Sequence, residues 1–119
     1  MDAKDIVGAL AALGQETRLD VFRLLVERGP DGLPAGVIAQ ELDLPPSSLT
    51  FHLQQLAHAG LVTQRRLSRQ IIYAANFAAM NAIVGYLTEN CCGGNAALCM
   101  PACGPAKTAT PARKKGRAA

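Results

Sequence analysis

The sequence predicts a mainly α-helical domain with one small β-hairpin. Apolar residues recur at helical spacing in five stretches, and they alternate with polar residues over positions 61–75. Glycine and proline separate several of these stretches. The chain has 119 residues, which is the length of one small domain, and half of its residues are hydrophobic, which is enough for a packed core.

The first two predicted helices lie before residue 29. The first covers residues 3–13, and its apolar side consists of Ile6, Val7, Leu10 and Leu13. The second follows a break near Gly14, and we expect Thr17 and Asp20 to form its N-terminal capping box. Its apolar stripe consists of Leu19, Phe22, Leu25 and Val26. The breaker cluster at 29–32 ends this helix.

Residues 34–60 show the pattern of a helix-turn-helix motif. A short helix over 34–42 is followed by a break at 43–46. Because proline fits the first helical turn, the next helix begins at Pro46 and continues to Ala59, and Gly60 is its C-terminal stop. Its apolar side consists of Leu49, Leu53 and Leu56. Two short helices joined by a tight turn make the motif.

A β-hairpin and a fifth helix complete the predicted domain. The hairpin spans 61–75 with its turn at 67–69, and the last helix spans 76–90. The apolar stripe of that helix consists of Phe77, Met80, Ile83, Val84 and Leu87. Beyond Cys92 nothing is periodic. We therefore predict a folded domain over 1–90 and a cysteine-containing segment with a flexible basic tail over 91–119.

Charge is distributed unevenly along the chain. Residues 1–43 contain four Lys or Arg against eight Asp or Glu, whereas residues 44–80 contain Arg65, Arg66 and Arg69 and no acid. An acid-free segment is what a polyanionic partner requires, because each uncompensated carboxylate would repel phosphate. A solvated basic surface is the alternative interpretation of the charge pattern alone.

The helix at 46–59 has polar side chains opposite its leucines. Hydroxyls and amides suit base edges and phosphates because they donate and accept hydrogen bonds without bulk. The predicted DNA-binding residues of this face are Ser47, Ser48, Thr50, Phe51, His52, Gln54 and Gln55, and those of the hairpin are Arg65, Arg66 and Arg69. For His52 two roles remain open, a phosphate contact and a partly buried ring that braces the helix.

The order of these elements resembles the ArsR/SmtB family of winged helix-turn-helix repressors. Residues 14–25 look like that family's opening helix, and 37–42, 47–56 and 59–62 match its DNA-reading unit. The hairpin ending at Ile72 and Tyr73 matches its wing, except that Ser68 stands where the family usually has glycine. The resemblance covers about residues 8–90.

The resemblance implies a homodimer that binds double-stranded operator DNA. The family dimerises through its first and last helices, and a two-fold dimer reads a pseudo-palindromic site. The corresponding interface residues here are Ile6, Leu10, Leu13, Met80, Ile83, Val84 and Leu87. Closure of the monomer core is the competing use of the same stripes.

The four cysteines, Cys91, Cys92, Cys99 and Cys103, lie within thirteen residues. This clustering leaves 1–90 without a disulfide framework and indicates an ion-binding or redox-active site. The vicinal pair at the end of the last helix, with a third cysteine further on, resembles the arsenite-responsive repressors. Soft thiolates select thiophilic ions, and trivalent arsenic binds three sulfurs.

The inducer predicted on this basis is As(III), or Sb(III), bound by Cys91, Cys92 and Cys99, with Cys103 as a spare or as the replacement for Cys99. No organic cofactor is expected. The alternatives are another thiophilic ion, a trivalent organoarsenical held by the vicinal pair, a thiol redox switch that pairs it with Cys99 or Cys103, and an inert tail.

An enzyme is the competing class of protein. A catalytic cysteine needs a rigid loop and an adjacent activating group, and these cysteines have no Arg or His beside them, so we expect no enzymatic activity. We also expect the chain to be cytoplasmic and not to contact a membrane. Its first residues carry acids where a secretory signal would be basic, and no apolar run approaches 18 residues.

Overall fold

A computed structural model gives the fold and describes residues 1–90 and residue 93. Within these described residues, five helices and three short strands follow one another. The helices are α1 (Ala3–Leu13), α2 (Glu16–Arg28), α3 (Ala35–Leu42), α4 (Pro46–His58) and α5 (Phe77–Leu87). The strands are β1 (Leu33–Pro34), β2 (Val62–Leu67) and β3 (Gln70–Ala75). The predicted mainly α fold with a small hairpin is therefore confirmed.

The chain divides into two compact units. The first comprises Met1–Val84 and contains α1 to α4, the sheet and most of α5. The second begins at Gly85, and its described part contains the end of α5 and a turn in which the Glu89 N–H donates to the Tyr86 carbonyl. The predicted division at residue 90 stays a prediction, because residues 91 and 92 lie outside the described part.

Helix boundaries follow the local signals in most places. The Asp2 side chain accepts a hydrogen bond from the Asp5 N–H and completes a capping box at α1. Pro46 occupies the first turn of α4. The capping box predicted at Thr17 and Asp20 is wrong, because α2 starts earlier and the Gln15 side chain accepts from the Arg18 N–H at 2.8 Å.

The sheet is antiparallel with strand order β1-β3-β2. The predicted hairpin pairs Val62 with Ala75 at its base and Leu67 with Gln70 at its tip. Ser68, in the turn, has φ +60°, the left-handed region that favours glycine. The sequence did not predict β1, whose Leu33 pairs with Tyr73.

The hydrophobic core is built around α4. Leu49, Leu53 and Leu56 are at most 1% exposed and pack with Val21, Phe22 and Leu25 of α2 and with residues of α1, α3 and the sheet. Within the described residues no polar or charged side chain is fully buried. The leucines of α4 therefore fix which face of this helix points outward.

Asn76 connects the end of α4 to the start of α5. Its Nδ2 donates to the Gly60 carbonyl at 2.9 Å, and its Oδ1 accepts from the Ala79 N–H at 3.1 Å. The same side chain thus caps α5 and holds the turn before β2. Gly60, with φ +81°, ends α4 as the sequence predicts.

Two glycines on either side of the Pro30–Asp31 turn give a matched test of the packing against β3. Gly29 and Gly32 both have positive φ, +84° and +73°. A Cβ added at Gly29 would meet nothing, whereas one at Gly32 would collide with the Tyr73 carbonyl oxygen. Each Gly→Ala change is expected to lower the unfolding free energy by about 1–3 kcal/mol through backbone strain. Gly32→Ala should lose roughly 1–3 kcal/mol more through overpacking. Urea denaturation measures both, and equal losses would contradict the assigned contact.

Candidate nucleic-acid interface

The outward face of α4 carries most of the predicted DNA-binding side chains. The face is opposite the buried leucines, and its exposed members are Ser47, Ser48, Thr50, Phe51, Gln54 and Gln55. The Thr50 hydroxyl donates to the Pro46 carbonyl at 3.0 Å, so its oxygen remains available as an acceptor. The structure thus places these six residues on one accessible helix surface.

His52 differs from its neighbours because it is half-buried. The Arg18 Nη1 lies 3.4 Å from the His52 Nδ1. Arginine has no acceptor, so Nδ1 accepts this contact and the ring proton is on Nε2. Burial, and secondarily the positive charge of Arg18, lowers the pKa of His52 below its usual 6.5. A neutral, half-buried ring matches the bracing role better than the phosphate contact.

Arg18 connects the end of α1 to α4. Its Nε donates to the Ala12 carbonyl at 2.7 Å, and its guanidinium contacts His52. Sequence reasoning did not select this residue, since nothing in the spacing indicates a contact between residues 34 positions apart. The arginine is half-buried, and we regard it as a positioning residue for α4.

The three arginines of the hairpin are all exposed, but their surroundings differ. Arg65 Nη2 donates to the Asp31 carbonyl at 3.0 Å, which holds this side chain against the loop before β1. Arg66 lies opposite Ile71 in the register. Arg69 borders a groove of about 440 Å³ together with Tyr73 and the first turn of α3. The hairpin therefore presents a cationic edge beside the helix-turn-helix motif.

The predicted dimer-interface residues are divided between core and surface. Ile6 and Ile83 are 2% and 6% exposed, so they have almost no area left for a partner and belong to the core of their own chain. Leu13 and Met80 are half-buried against that core. Leu10 and Val84 in the first unit, and Leu87 in the second, are 40%, 47% and 61% exposed.

The predicted thiolate site lies outside the described residues. Cys91, Cys92, Cys99 and Cys103 are not among positions 1–90 and 93. Within that described part no group of three or more His, Cys, Asp or Glu residues could hold a metal ion. No helix in the same part is both long and apolar enough to span a bilayer.

Comparisons with known proteins agree with this architecture. A helix-turn-helix domain model matches residues 13–65. The nodulation protein NolR of Rhizobium meliloti is 31% identical over 88 residues, which cover 74% of this chain and 70% of NolR. A candidate arsenical resistance operon repressor, ArsR, of Halobacterium salinarum is 40% identical over 60 residues, covering 50% of this chain and 46% of that protein.

A solved structure extends the similarity to the fold. The ArsR-like transcriptional regulator from Rhodococcus superposes with a TM-score of 0.67 at 26% identity, covering 80% of this chain and 87% of the other. The helix-turn-helix match over residues 13–65 includes α4 and Arg65 of the candidate interface.

The contact between Arg18 and His52 predicts a pH dependence of stability. Because the folded protein disfavours protonation of His52, the unfolding free energy should be highest above pH 6.5, the usual value, and should decrease as the pH falls below it. In His52→Gln, the part of the pH-dependent decrease in unfolding free energy that comes from His52 should be lost. Urea denaturation of both proteins over a pH series from about 5 to 8 measures the difference. His58→Gln, an exposed substitution on the same helix, is the matched control. An unchanged pH profile in His52→Gln would contradict the prediction.

Proposed function

The chain belongs to the ArsR/SmtB family of winged helix-turn-helix transcriptional regulators, and on that premise we propose that it is a metalloid-responsive repressor. It binds operator DNA in the absence of the ion and releases it when As(III) or Sb(III) binds thiolates after α5. The observation that carries the DNA-binding half is the exposed polar face of α4 beside an arginine-bearing hairpin in a segment without acids.

In this proposal α4 enters the major groove and the hairpin follows the backbone. The core leucines of α4 direct its hydroxyls and amides outward, where they reach base edges and phosphates. Arg66 and Arg69 neutralise phosphates beside the groove. Arg65 approaches the same backbone from its position against the Asp31 carbonyl. The half-buried ring of His52 braces α4 through its contact with Arg18.

The repressor acts as a homodimer in this proposal. A single winged domain of this size buries too little area on DNA for high affinity, and two copies related by a two-fold axis read two half-sites. The exposed side chains of Val7 and Leu10 on α1 and of Val84 on α5 offer apolar surface within the first unit. Leu13 and Met80 are partly buried in the core of their own chain, so they contribute only their remaining exposed surface to the dimer contact.

The sensing half of the proposal rests on the chemistry of the cysteines. Cys91 follows the last residue of α5 by four positions, and Cys92 is adjacent to it. Three thiolates from Cys91, Cys92 and Cys99 match the trigonal preference of trivalent arsenic, and a soft donor set excludes Mg²⁺ and Ca²⁺. The similar protein of Halobacterium salinarum, whose name refers to arsenical resistance, supports this choice of ion.

A coupling between ion and operator of about 1–3 kcal/mol is sufficient for regulation, since it corresponds to roughly a 5–150-fold change in affinity. The site follows α5 directly, and α5 supplies exposed apolar residues to the proposed dimer surface. Capture of the ion by the segment after α5 therefore alters a helix that sets the spacing of the two α4 helices.

The hairpin arginines should contribute to DNA affinity independently of base sequence. Arg69→Ala is expected to weaken binding uniformly across different duplexes and to reduce the slope of log K against log salt by about 1 for each hairpin bound. Fluorescence anisotropy at a series of salt concentrations measures the slope. Arg23→Ala, which removes an exposed arginine of α2, is the matched control. A slope equal to that of the wild type would show that Arg69 contacts no phosphate.

The ion site should be separable from operator binding. Cys92→Ser is expected to bind operator with wild-type affinity and to remain bound in arsenite, because the vicinal thiolate pair is broken. A gel-shift titration with arsenite tests both statements, and zinc and peroxide distinguish another ion or a redox switch. Cys103→Ser is the comparison variant: it should still release DNA where Cys99 is the third ligand, and its loss of release would make Cys103 the third ligand. Unchanged release by Cys92→Ser would refute the assigned site.

A further inference from the structure

Phe51 is the one large apolar side chain on the outward face of α4. Its ring is 54% exposed. Its neighbours three and four positions away along the helix are Ser47, Ser48, Gln54 and Gln55, all of them exposed and polar. The ring therefore stands at the centre of this face, on the side away from the three buried leucines. It adds nothing to the hydrophobic core.

Contacts with neighbouring side chains restrain the position of the Phe51 ring. Phe51 contacts the His52 ring edge-on, with centroids 5.6 Å apart and an interplanar angle of 65°. His52 in turn contacts Arg18, whose Nε donates to the Ala12 carbonyl. A side chain that is already restrained loses less conformational entropy when it binds a partner. Phe51 is thus exposed and braced at the same time.

The charge of the segment that carries Phe51 favours a duplex as the partner over a second protein. The segment 44–80 contains three exposed arginines and no carboxylate. An apolar ring on a polar helix face, in a segment whose only charged side chains are arginines, needs a partner that carries negative charge at the periphery and an apolar group in the middle. The major groove meets both requirements, because phosphates line it and the C5-methyl group of thymine projects into it.

We propose that Phe51 determines the base specificity of this protein by contacting the C5-methyl group of a thymine in the major groove. The proposal rests on the proposed DNA-binding function and deepens it. Phenylalanine has no donor or acceptor, so it distinguishes bases only by their apolar groups. The hydroxyls and amides around it are left to read the hydrogen-bonding edges of the flanking base pairs.

The test replaces thymine by uracil, which lacks only the methyl group. Duplexes that bind the full chain are first selected from a random pool, and each thymine of the selected site is then replaced singly by deoxyuridine. At one thymine position, which occurs once in each half-site, the deoxyuridine replacement is expected to lower the affinity for the duplex about fourfold. The reason is that it removes the contact with one buried methyl group. Replacing the same base pair by one that contains 5-methylcytosine should retain more affinity than unmodified cytosine.

Variants assign the effect to the ring. Phe51→Ala should bind the thymine and uracil duplexes with equal affinity, and Phe51→Leu should retain part of the discrimination. Leu19→Ala is the matched control. It removes an exposed apolar side chain from α2 and should keep the wild-type ratio of affinities for the thymine and uracil duplexes. Because Phe51 is exposed, thermal unfolding of Phe51→Ala should match the wild type within a few degrees.

The outcomes separate this inference from the proposed function. If selection enriches no duplex, DNA binding itself is refuted, and the inference with it. If a duplex is bound but no thymine position is sensitive to uracil, or if Phe51→Ala keeps the discrimination, the role of Phe51 alone is refuted. A Phe51→Ala variant that changes the dimer dissociation constant and not the thymine-to-uracil ratio would assign the ring to a protein interface and also overturn the inference.

Discussion

The burial of three leucines on one side of α4 is the constraint on which the rest of the structure depends. Leu49, Leu53 and Leu56 interlock with α2 and with the other core elements, so α4 has one rotation about its axis. That rotation decides which side chains reach a partner. Rotating the helix by one residue would expose leucine and bury polar groups without partners, at a cost comparable to the whole stability of a small domain.

The same constraint gives the Arg18 contact its significance. The guanidinium holds the last turn of α1 through the Ala12 carbonyl and reaches His52 of α4. A helix with an exposed apolar side and the helix that carries the candidate reading face are therefore joined by hydrogen bonds as well as by core packing. Displacement of one of them strains a half-buried polar contact, which is energetically more demanding than sliding along an apolar surface.

Most of the fold could be predicted from the sequence because its signals are local. Glycine, proline and leucine periodicity locate α3 and α4 to within one or two residues. Strand β1 could not be predicted, since it has two residues and its partner Tyr73 is 40 positions away. The α2 cap was misassigned because Thr17 fits the usual pattern, whereas Gln15, a less common cap, makes the hydrogen bond.

The sequence predicts which residue types form the candidate site, but it does not predict how buried each residue is or how its pKa is shifted. Periodicity identifies the apolar stripe of α1, but it does not show how much of that stripe the chain's own core covers, as the 2% exposure of Ile6 illustrates. Spacing also cannot reveal that burial, and secondarily the charge of an arginine from α2, lowers the pKa of His52. Such properties depend on contacts between distant segments, which only the folded chain brings together.

The short strand β1 pairs with only part of the hairpin, so the stiffness of the hairpin differs along its length. Pairing with Leu33 and Pro34 reaches only Tyr73 and Ile72, and proline, which lacks an N–H, ends the third strand there. The middle of the hairpin is thus part of a three-stranded sheet and its base, with Val62 and Ala75, is buried in the core, whereas the distal part, with Arg66 and Arg69, is a ribbon of two strands. A narrow ribbon bends and twists more easily than a seated sheet. In the proposed complex with DNA, Arg66 and Arg69 accordingly adjust to duplexes of different groove width while α4 keeps one fixed orientation.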